Sequence, residues 1–289
     1  MTVKELAPAK INLYLDVLGK RDDGFHDIET LMQEVALSDD VIIEYKAGEE
    51  RGVTLKISGN DELPADESNL VIRAYRAFTK AHPLNGAVHI TLNKRIPTAA
   101  GLGGGSADAA ATLRGLNKIA NLAVSENEII KMAEKLGSDV PFCLIGGRAM
   151  CYGKGEALEP LPRDKELHLL IVKTDESVST PKAYAMLDSI YNDFRQGRED
   201  DGRKAILAAL KNGNYDRLYN IFDDPVLCQC PKAKSAKEAL LSLGASAALM
   251  SGSGPSVFGI FESRETLEKA REIIENDFCE AVVFTTKTI

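Results

Sequence analysis

The stretch Pro97-Thr98-Ala99-Ala100-Gly101-Leu102-Gly103-Gly104-Gly105-Ser106-Ala107-Asp108-Ala109 constrains this chain more than any other. Glycine fills four of the five positions from 101 to 105. The backbone there carries almost no side chain and can take dihedrals that other residues avoid. Exposed amide N–H groups, backed by the positive end of a helix dipole, make a cradle for phosphate. The flanks predict that placement. Val88, Ile90 and Leu92 alternate with His89, Thr91 and Asn93, a half-buried strand pattern that Pro97 ends. Downstream, Ala109, Leu113, Leu116 and Ala120 fall at helical spacing, and Ser106 or Asp108 can serve the first turn.

Two familiar phosphate motifs do not fit. A P-loop needs Lys-Ser or Lys-Thr after its last glycine, and here Ser106-Ala107 follows. A dinucleotide fingerprint belongs in the first strand–helix turn, whereas this cluster lies a third of the way along, after several strands. A nicotinamide-dependent oxidoreductase is excluded on that order. The remaining alternative is a glycine-rich turn without a ligand, and a short turn rarely needs so many glycines.

A chain of 289 residues, 44% hydrophobic, forms one large domain or two ordinary ones with a real core. Its net charge of −8 argues against nucleic acid or an anionic membrane as partner. An anionic substrate therefore needs a local basic site. No apolar run is long enough to span a bilayer, and Met1-Thr2-Val3-Lys4-Glu5 leads into a strand, with no signal peptide. Five scattered cysteines read as reduced thiols and predict a cytoplasmic protein. Cys228-Gln229-Cys230 lacks a second ligand pair, so no zinc site is expected.

From Lys10 to Leu18 the alternation is clean: Ile11, Leu13, Leu15 and Val17 share one face, and Lys10, Asn12, Tyr14 and Asp16 share the other. The polar face either meets water or lines a site. A turn over 19–24 leads to Phe25-His26-Asp27, where an aromatic and a histidine could wall a flat ligand or Phe25 could fill the core. Residues 41–45 and 53–58 read as a strand pair across a polar loop. Ser68-Asn69 caps a helix to about His82, and Ser125-Glu126-Asn127-Glu128 is a capping box for a helix to about Leu136. Asp139 follows among apolar neighbours, as a helix cap or as a functional carboxylate.

Pro160-Leu161-Pro162 is read as the domain boundary, giving domains 1–160 and 161–289. Beyond it come a buried strand over 167–172 and helices near 181–190, 202–211 and 231–243. A hairpin over 247–261 turns at Ser251-Gly252-Ser253-Gly254-Pro255, and a helix over 265–276 and a strand over 281–286 close the chain. Residues 192–203 read as a polar mobile loop. The mixture predicts an α+β fold. The Ser251–Ser256 turn is either a plain hairpin turn or a second phosphate-friendly loop completing one anionic site.

Three segments, in order, resemble the GHMP kinase superfamily: Pro8-Ala9-Lys10-Ile11-Asn12-Leu13, the Pro-x-x-x-Gly-Leu-Gly loop within Pro97–Ala107, and Ser251-Gly252-Ser253-Gly254-Pro255. Gly24-Phe25-His26, Thr30-Leu31-Met32-Gln33 and Ser138-Asp139-Val140-Pro141-Phe142 are similar to one branch, which acts on an alcohol linked to cytidine diphosphate. The resemblance implies a two-domain fold. Its N-terminal domain would be like ribosomal S5 domain 2, with a left-handed β-α-β crossover; its C-terminal domain would be a ferredoxin-like α/β sandwich. It implies ATP with Mg2+, and a small-molecule substrate, cytidine-diphosphate-methylerythritol, phosphorylated on its 2-hydroxyl on the non-mevalonate route to isoprenoids.

The same resemblance gives Lys10 and Asp139 the catalytic positions. It gives the phosphates to Pro97, Thr98, Ala99, Ala100, Gly101, Leu102, Gly103, Gly104, Gly105, Ser106 and Ala107, and the adenine end to Asn69 and Lys94. Asn12, Phe25, His26 and Tyr184 fall to the substrate, with an aromatic on each face of the base and His26 reading its edge. Phe25 stands where a tyrosine is often seen, so stacking survives and a phenolic contact does not. Ser106 is the group named near the metal. The assembly expected is a monomer or homodimer. Another GHMP small-alcohol kinase, or a non-catalytic nucleotide-binding regulator of the same fold, are the alternatives. Gly24-Phe25-His26 favours a nucleobase, and Lys10 with Asp139 favours turnover.

Overall fold

Alternating apolar residues make the first part of the chain two long strands, β1 (Thr2–Lys20) and β2 (His26–Ala47). The structure is a computed structural model, and it describes residues 1–120, 124–162, 165–191, 194 and 202–289. The chain packs as two compact units. One comprises Met1–Ala9, Leu37–Thr98 and Gly103–Gly146; the other comprises Lys10–Ala36, Ala99–Leu102 and Gly147–Ile289. β1 and β2 therefore contribute to both.

In the first unit β3 (Gly52–Ser58), α1 (Leu70–Ala81) and β4 (Gly86–Asn93) form a β-α-β element, with β3 and β4 parallel and Val53 opposite Val88. β4 also pairs antiparallel with β2, Asp40 opposite Asn93, and the order is β3-β4-β2-β1. The expected pairing of 41–45 with 53–58 is thus corrected: β4 lies between them. β4 is buried at Val88, Ile90 and Leu92, whereas β3 alternates between exposed and half-buried. The more apolar strand takes the interior place.

α2 (Gly104–Ala120), α3 (Glu126–Leu136) and α4 (Val140–Ile145) complete the unit. Both predicted caps form. Asn69 Oδ1 accepts from the Val71 N–H (2.9 Å), and Ser125 Oγ from the Glu128 N–H (3.3 Å). α2 is alanine-rich on its buried side (Ala107, Ala109, Ala110, Ala111), which lets it sit close to its neighbours. At Gly115 the approach is closest: a Cβ there would stand 2.6 Å from Ile43 Cδ1 on β2.

The second unit adds β5 (Arg148–Gly153), β6 (Ala157–Leu161), β7 (His168–Lys173), α5 (Thr180–Ile190), α6 (Gly202–Lys211), β8 (Tyr219–Asn220), α7 (Asp223–Leu227), α8 (Pro231–Ser242), β9 (Ala247–Met250), β10 (Val257–Phe261), α9 (Arg264–Asp277) and β11 (Val282–Lys287). The predicted boundary segment thus begins inside β6. One sheet runs β6-β5-β2-β1-β8, with Ile28 opposite Gly153 and Tyr14 opposite Tyr219. The other runs β11-β7-β10-β9, antiparallel throughout. Renumbering its strands 1 to 4 along the chain gives the order 4-1-3-2, the ferredoxin-like arrangement. Its inner face and helices share a core that includes Leu170, Val172, Leu187, Phe222, Leu240, Val257 and Ile274. The expected hairpin over 247–261 forms as β9 and β10, Val257 opposite Met250.

The polar loop predicted at 192–203 lies largely outside the described residues. Among the described residues, no helix is long and apolar enough to cross a membrane. Gly115→Val should force Ile43 aside and lower stability by about 1–3 kcal/mol, read as a shift in the urea unfolding midpoint.

Candidate active site

Both faces of β1 are buried. Ile11 and Leu13 are fully enclosed, and on the other face Lys10 is 4% and Asn12 2% exposed. The polar face therefore does not meet water. A buried ammonium must be hydrogen-bonded, and Lys10 Nζ donates to Asn12 Oδ1 at 2.8 Å. Asn12 Nδ2 donates to Thr30 Oγ1 (2.8 Å), whose hydroxyl donates to the Tyr14 carbonyl (2.6 Å). The rail from β1 to β2 fixes where Lys10 points.

The middle of the glycine stretch, Ala99–Leu102, belongs to the same unit as Lys10. The Lys10 N–H donates to the Leu102 carbonyl (3.0 Å). Ala99 and Gly101 have φ of 50° and 74°; Ala99 accepts a left-handed conformation that disfavours a side chain. Ser251 Oγ donates to the Gly101 carbonyl at 3.0 Å. A Cβ on Gly252 would stand 3.2 Å from Lys10 Nζ, and one on Gly101 only 2.0 Å from the Ser251 carbonyl oxygen. The two glycine loops and the lysine, far apart in sequence, thus meet. The Ser251–Ser256 turn is more than a hairpin turn. Asn220 on β8 clamps it, donating to the carbonyls of Met250 and Gly252 at 2.8 Å each.

The end of the stretch, from Gly103, opens α2 in the first unit, where the Ala107 N–H donates to the Gly103 carbonyl (2.9 Å). Gly105 and Ser106 occupy its first turn, exposed and half-buried respectively. Beneath it lies Lys94, buried, with its ammonium bonded to Asp39 and to Asp108 Oδ2 (2.8 Å). A Cβ on Gly104 would come within 3.3 Å of Lys94 Nζ. Asp39 Oδ1 also accepts from the Ile96 N–H (2.8 Å) and from Arg95 N.

Two carboxylates face one ammonium. Burial pushes Asp108 up, Lys94 opposes that, and Asp39 adds to it; the result is about 7. Burial works against the Lys94 charge, but Asp108 and Asp39 outweigh it and hold the ammonium above its usual range. Asn69, the other residue assigned to the adenine end, caps α1 and also donates to the Pro64 carbonyl (2.7 Å). Asp139 precedes α4, half-buried, and its carboxylate does not cap that helix.

In the second unit His26 begins β2 and is 7% exposed. Tyr184 stacks on it, ring centroids 4.7 Å apart and planes 24° from parallel, while Phe194 meets it edge-on. Phe25 is exposed, with Lys154 Nζ 4.8 Å over its ring. It does not fill the core. Three residues that sequence reasoning gave no role, Asp39, Asp188 and Asn220, hold these groups together with Asp108, which the sequence placed only at the first turn of α2. Asp188, which accepts from His26 Nε2 (2.7 Å), lies one helical turn beyond Tyr184. That i, i+4 spacing was the one sequence signal for Asp39, Asp188 or Asn220.

Residues 69–147 match the family described as GHMP kinases N terminal domain, and residues 200–281 match GHMP kinases C terminal. The fold and the two matches define a GHMP kinase. Proteins named 4-diphosphocytidyl-2-C-methyl-D-erythritol kinase are similar over nearly the whole chain. That of Syntrophomonas wolfei is 39% identical over 286 residues, 97% of this chain and 96% of its own. That of Thermoanaerobacter pseudethanolicus is 40% identical over 292 residues, 99% and 96%. The crystal structure of a 4-(cytidine 5'-diphospho)-2C-methyl-D-erythritol kinase superposes with a TM-score of 0.81 at 31% identity, covering 99% of each chain. A homoserine kinase from Cytophaga hutchinsonii shares the fold, with a TM-score of 0.75 at 20% identity, covering 100% of this chain and 94% of its own. The chain belongs to the 4-diphosphocytidyl-2-C-methyl-D-erythritol kinase family.

Lys94→Met should leave two buried carboxylates uncompensated and cost about 3–5 kcal/mol of stability, measured by urea unfolding. The folded pKa of Asp108 lies above its ordinary 3.8, so between the two values the folded chain holds a proton that the unfolded chain releases. That contribution to stability is lost as pH rises from about 4 to about 7. Asp108→Asn should therefore look more favourable relative to the parent at pH 8 than at pH 5, in paired unfolding curves.

Proposed function

We infer that this protein is an ATP-dependent kinase that phosphorylates the 2-hydroxyl of 4-diphosphocytidyl-2-C-methyl-D-erythritol, a step in the non-mevalonate supply of isoprenoid precursors. The observation that carries the reading is whole-length similarity of 39–40% identity to kinases of that name, in a chain that buries Lys10 against its second glycine loop.

The roles follow from the chemistry. A tertiary alcohol is hindered and weakly acidic, so a carboxylate must take its proton as it attacks. Asp139 is that base. Lys10 neutralises charge developing on the transferred phosphoryl group. Asn12 holds Lys10 and contacts the substrate. The Pro97–Ala107 stretch binds the ATP phosphates through main-chain N–H groups, supported by positive φ at Ala99, Gly101 and Gly103 and by the start of α2. Asn69 and Lys94 shape the adenine end through the backbone they hold in place. Phe25 stacks on the cytosine, His26 reads its edge, and Tyr184 supplies the second aromatic wall while backing His26.

Mg2+ fits this donor set, since a hydroxyl in the first turn of α2 is a hard oxygen. Ser106 is the protein group that would sit beside it, and the ion would offset phosphate charge. The division at residues 160/161 is supported by the two family matches, which fall on either side of it. A cytoplasmic location, supported by the odd, scattered cysteines, and a monomer or homodimer complete the reading.

With ATP and Mg2+, the protein should phosphorylate cytidine-diphosphate-methylerythritol and leave mevalonate, homoserine and galactose untouched. Preference for any of those three overturns the substrate assignment. Asp139→Asn should lower kcat by about 10²- to 10⁴-fold with ATP binding retained by calorimetry; unchanged turnover removes Asp139 from the mechanism.

A further inference from the structure

His26 is held more completely than a base-contacting histidine needs for packing alone. Its face lies on Tyr184, and the Phe194 ring stands nearly perpendicular to it, centroids 5.7 Å apart. Its Nε2 lies 2.7 Å from Asp188 Oδ1. The other oxygen of Asp188 accepts from Lys20 Nζ at 2.6 Å. Tyr184 and Asp188 are four residues apart on α5, so one helix face supplies both the ring stack and the carboxylate. Lys20 closes β1 and His26 opens β2, so the carboxylate joins the two strands beside the turn that carries Phe25.

The bond has a chemical consequence. A carboxylate paired with an ammonium is acceptor-only. Desolvation opposes the Asp188 charge, but Lys20 and His26 hold the carboxyl below its usual range. Nε2 must then carry the hydrogen, and in the neutral ring Nδ1 becomes the acceptor. Cytosine presents an exocyclic amine, a donor, at the position where uracil presents a carbonyl, an acceptor. A ring nitrogen locked as acceptor pairs with the first and repels the second.

We propose that Asp188 is a specificity-determining positioning residue: by accepting from His26 Nε2–H it fixes the tautomer whose Nδ1 accepts from the cytosine amine and turns away a uracil carbonyl. The inference rests on the reading of His26 as the group at the edge of the base.

The test compares kcat and KM for the cytidine substrate and its uridine counterpart. It uses the parent, Asp188→Asn, Lys20→Gln and His26→Ala, with 15N NMR of the histidine ring at pH 8. An amide at 188 can donate as well as accept, so it permits the other tautomer. Asp188→Asn should cut the cytidine-over-uridine ratio of kcat/KM by about 10- to 100-fold, mostly through KM. Lys20→Gln, which leaves the His26 bond in place, should keep the ratio. The NMR should show the hydrogen of neutral His26 on Nε2 in the parent and its partial transfer to Nδ1 in Asp188→Asn.

An unchanged ratio in Asp188→Asn overturns the proposal. So does an equal loss for both substrates, which marks a purely structural residue, or a parent ring with the hydrogen on Nδ1 or on both nitrogens. If His26→Ala keeps the full preference, the reading of His26 itself fails. If His26→Ala loses the preference and Asp188→Asn keeps it, that reading stands and only the role of Asp188 fails.

Discussion

An ammonium group inside a β-sheet has to be held by something, and the way Lys10 is held organises the second unit. Its strand is apolar on one face and polar on the other, yet both faces are buried. Burying that polar face costs free energy unless each group finds a partner. The partners come from the β1–β2 rail of Asn12 and Thr30, and their spacing pins the side chain to one direction. Glycine at 252 suits this packing, because its φ is 58° and a Cβ there would stand 3.0 Å from the Gly101 carbonyl oxygen and 3.2 Å from the ammonium. Its carbonyl is held by Asn220, which ties the loop to β8.

The glycine stretch does two jobs with one composition. Over Ala99–Leu102 the need is close approach: Gly101 lies where a Cβ would strike the Ser251 carbonyl. From Gly103 the need is a helix start with little above it and a charged anchor beneath. Lys94 supplies the anchor and Asp108, from the first turns of α2, returns the contact. An anion-binding helix end gains from rigidity because its N–H groups must already point at the ligand. The buried Lys94–Asp39–Asp108 cluster provides that rigidity at a site with almost no side chains of its own.

Strands and helices with strong periodicity or caps were legible from sequence: α1 from Asn69, α3 from Ser125, and the β9–β10 hairpin from its turn. The strand order of the first unit was not. Nothing local tells β3 that it will lie parallel to β4 instead of turning back onto β2, since the place beside β2 is taken by β4, a strand that comes only after α1. The glycine stretch, Lys10 and Phe25-His26 stood out because their residue types are unusual for their positions. Asp39, Asp188 and Asn220 did not, and Asp108 stood out only as a residue for the first turn of its helix. Each is an ordinary polar residue in an ordinary polar context until the fold buries it against a specific partner.

The parts assigned to phosphate and the parts assigned to the base are built from different materials. On the proposed assignment, phosphate handling relies on backbone, on glycine conformations and on one rigidly held lysine. A side-chain change there meets backbone atoms that cannot yield, as at Gly101 and Gly252. Base recognition, on the same proposed assignment, relies on side chains from the start of β2 and one face of α5: Phe25, His26, Tyr184 and Asp188. Those contacts are between side chains: Tyr184 rests on His26, and His26 bonds Asp188. On that assignment, a fold divided in this way can keep one phosphoryl-transfer apparatus while its choice of alcohol is rewritten by a few residues on a strand end and a helix.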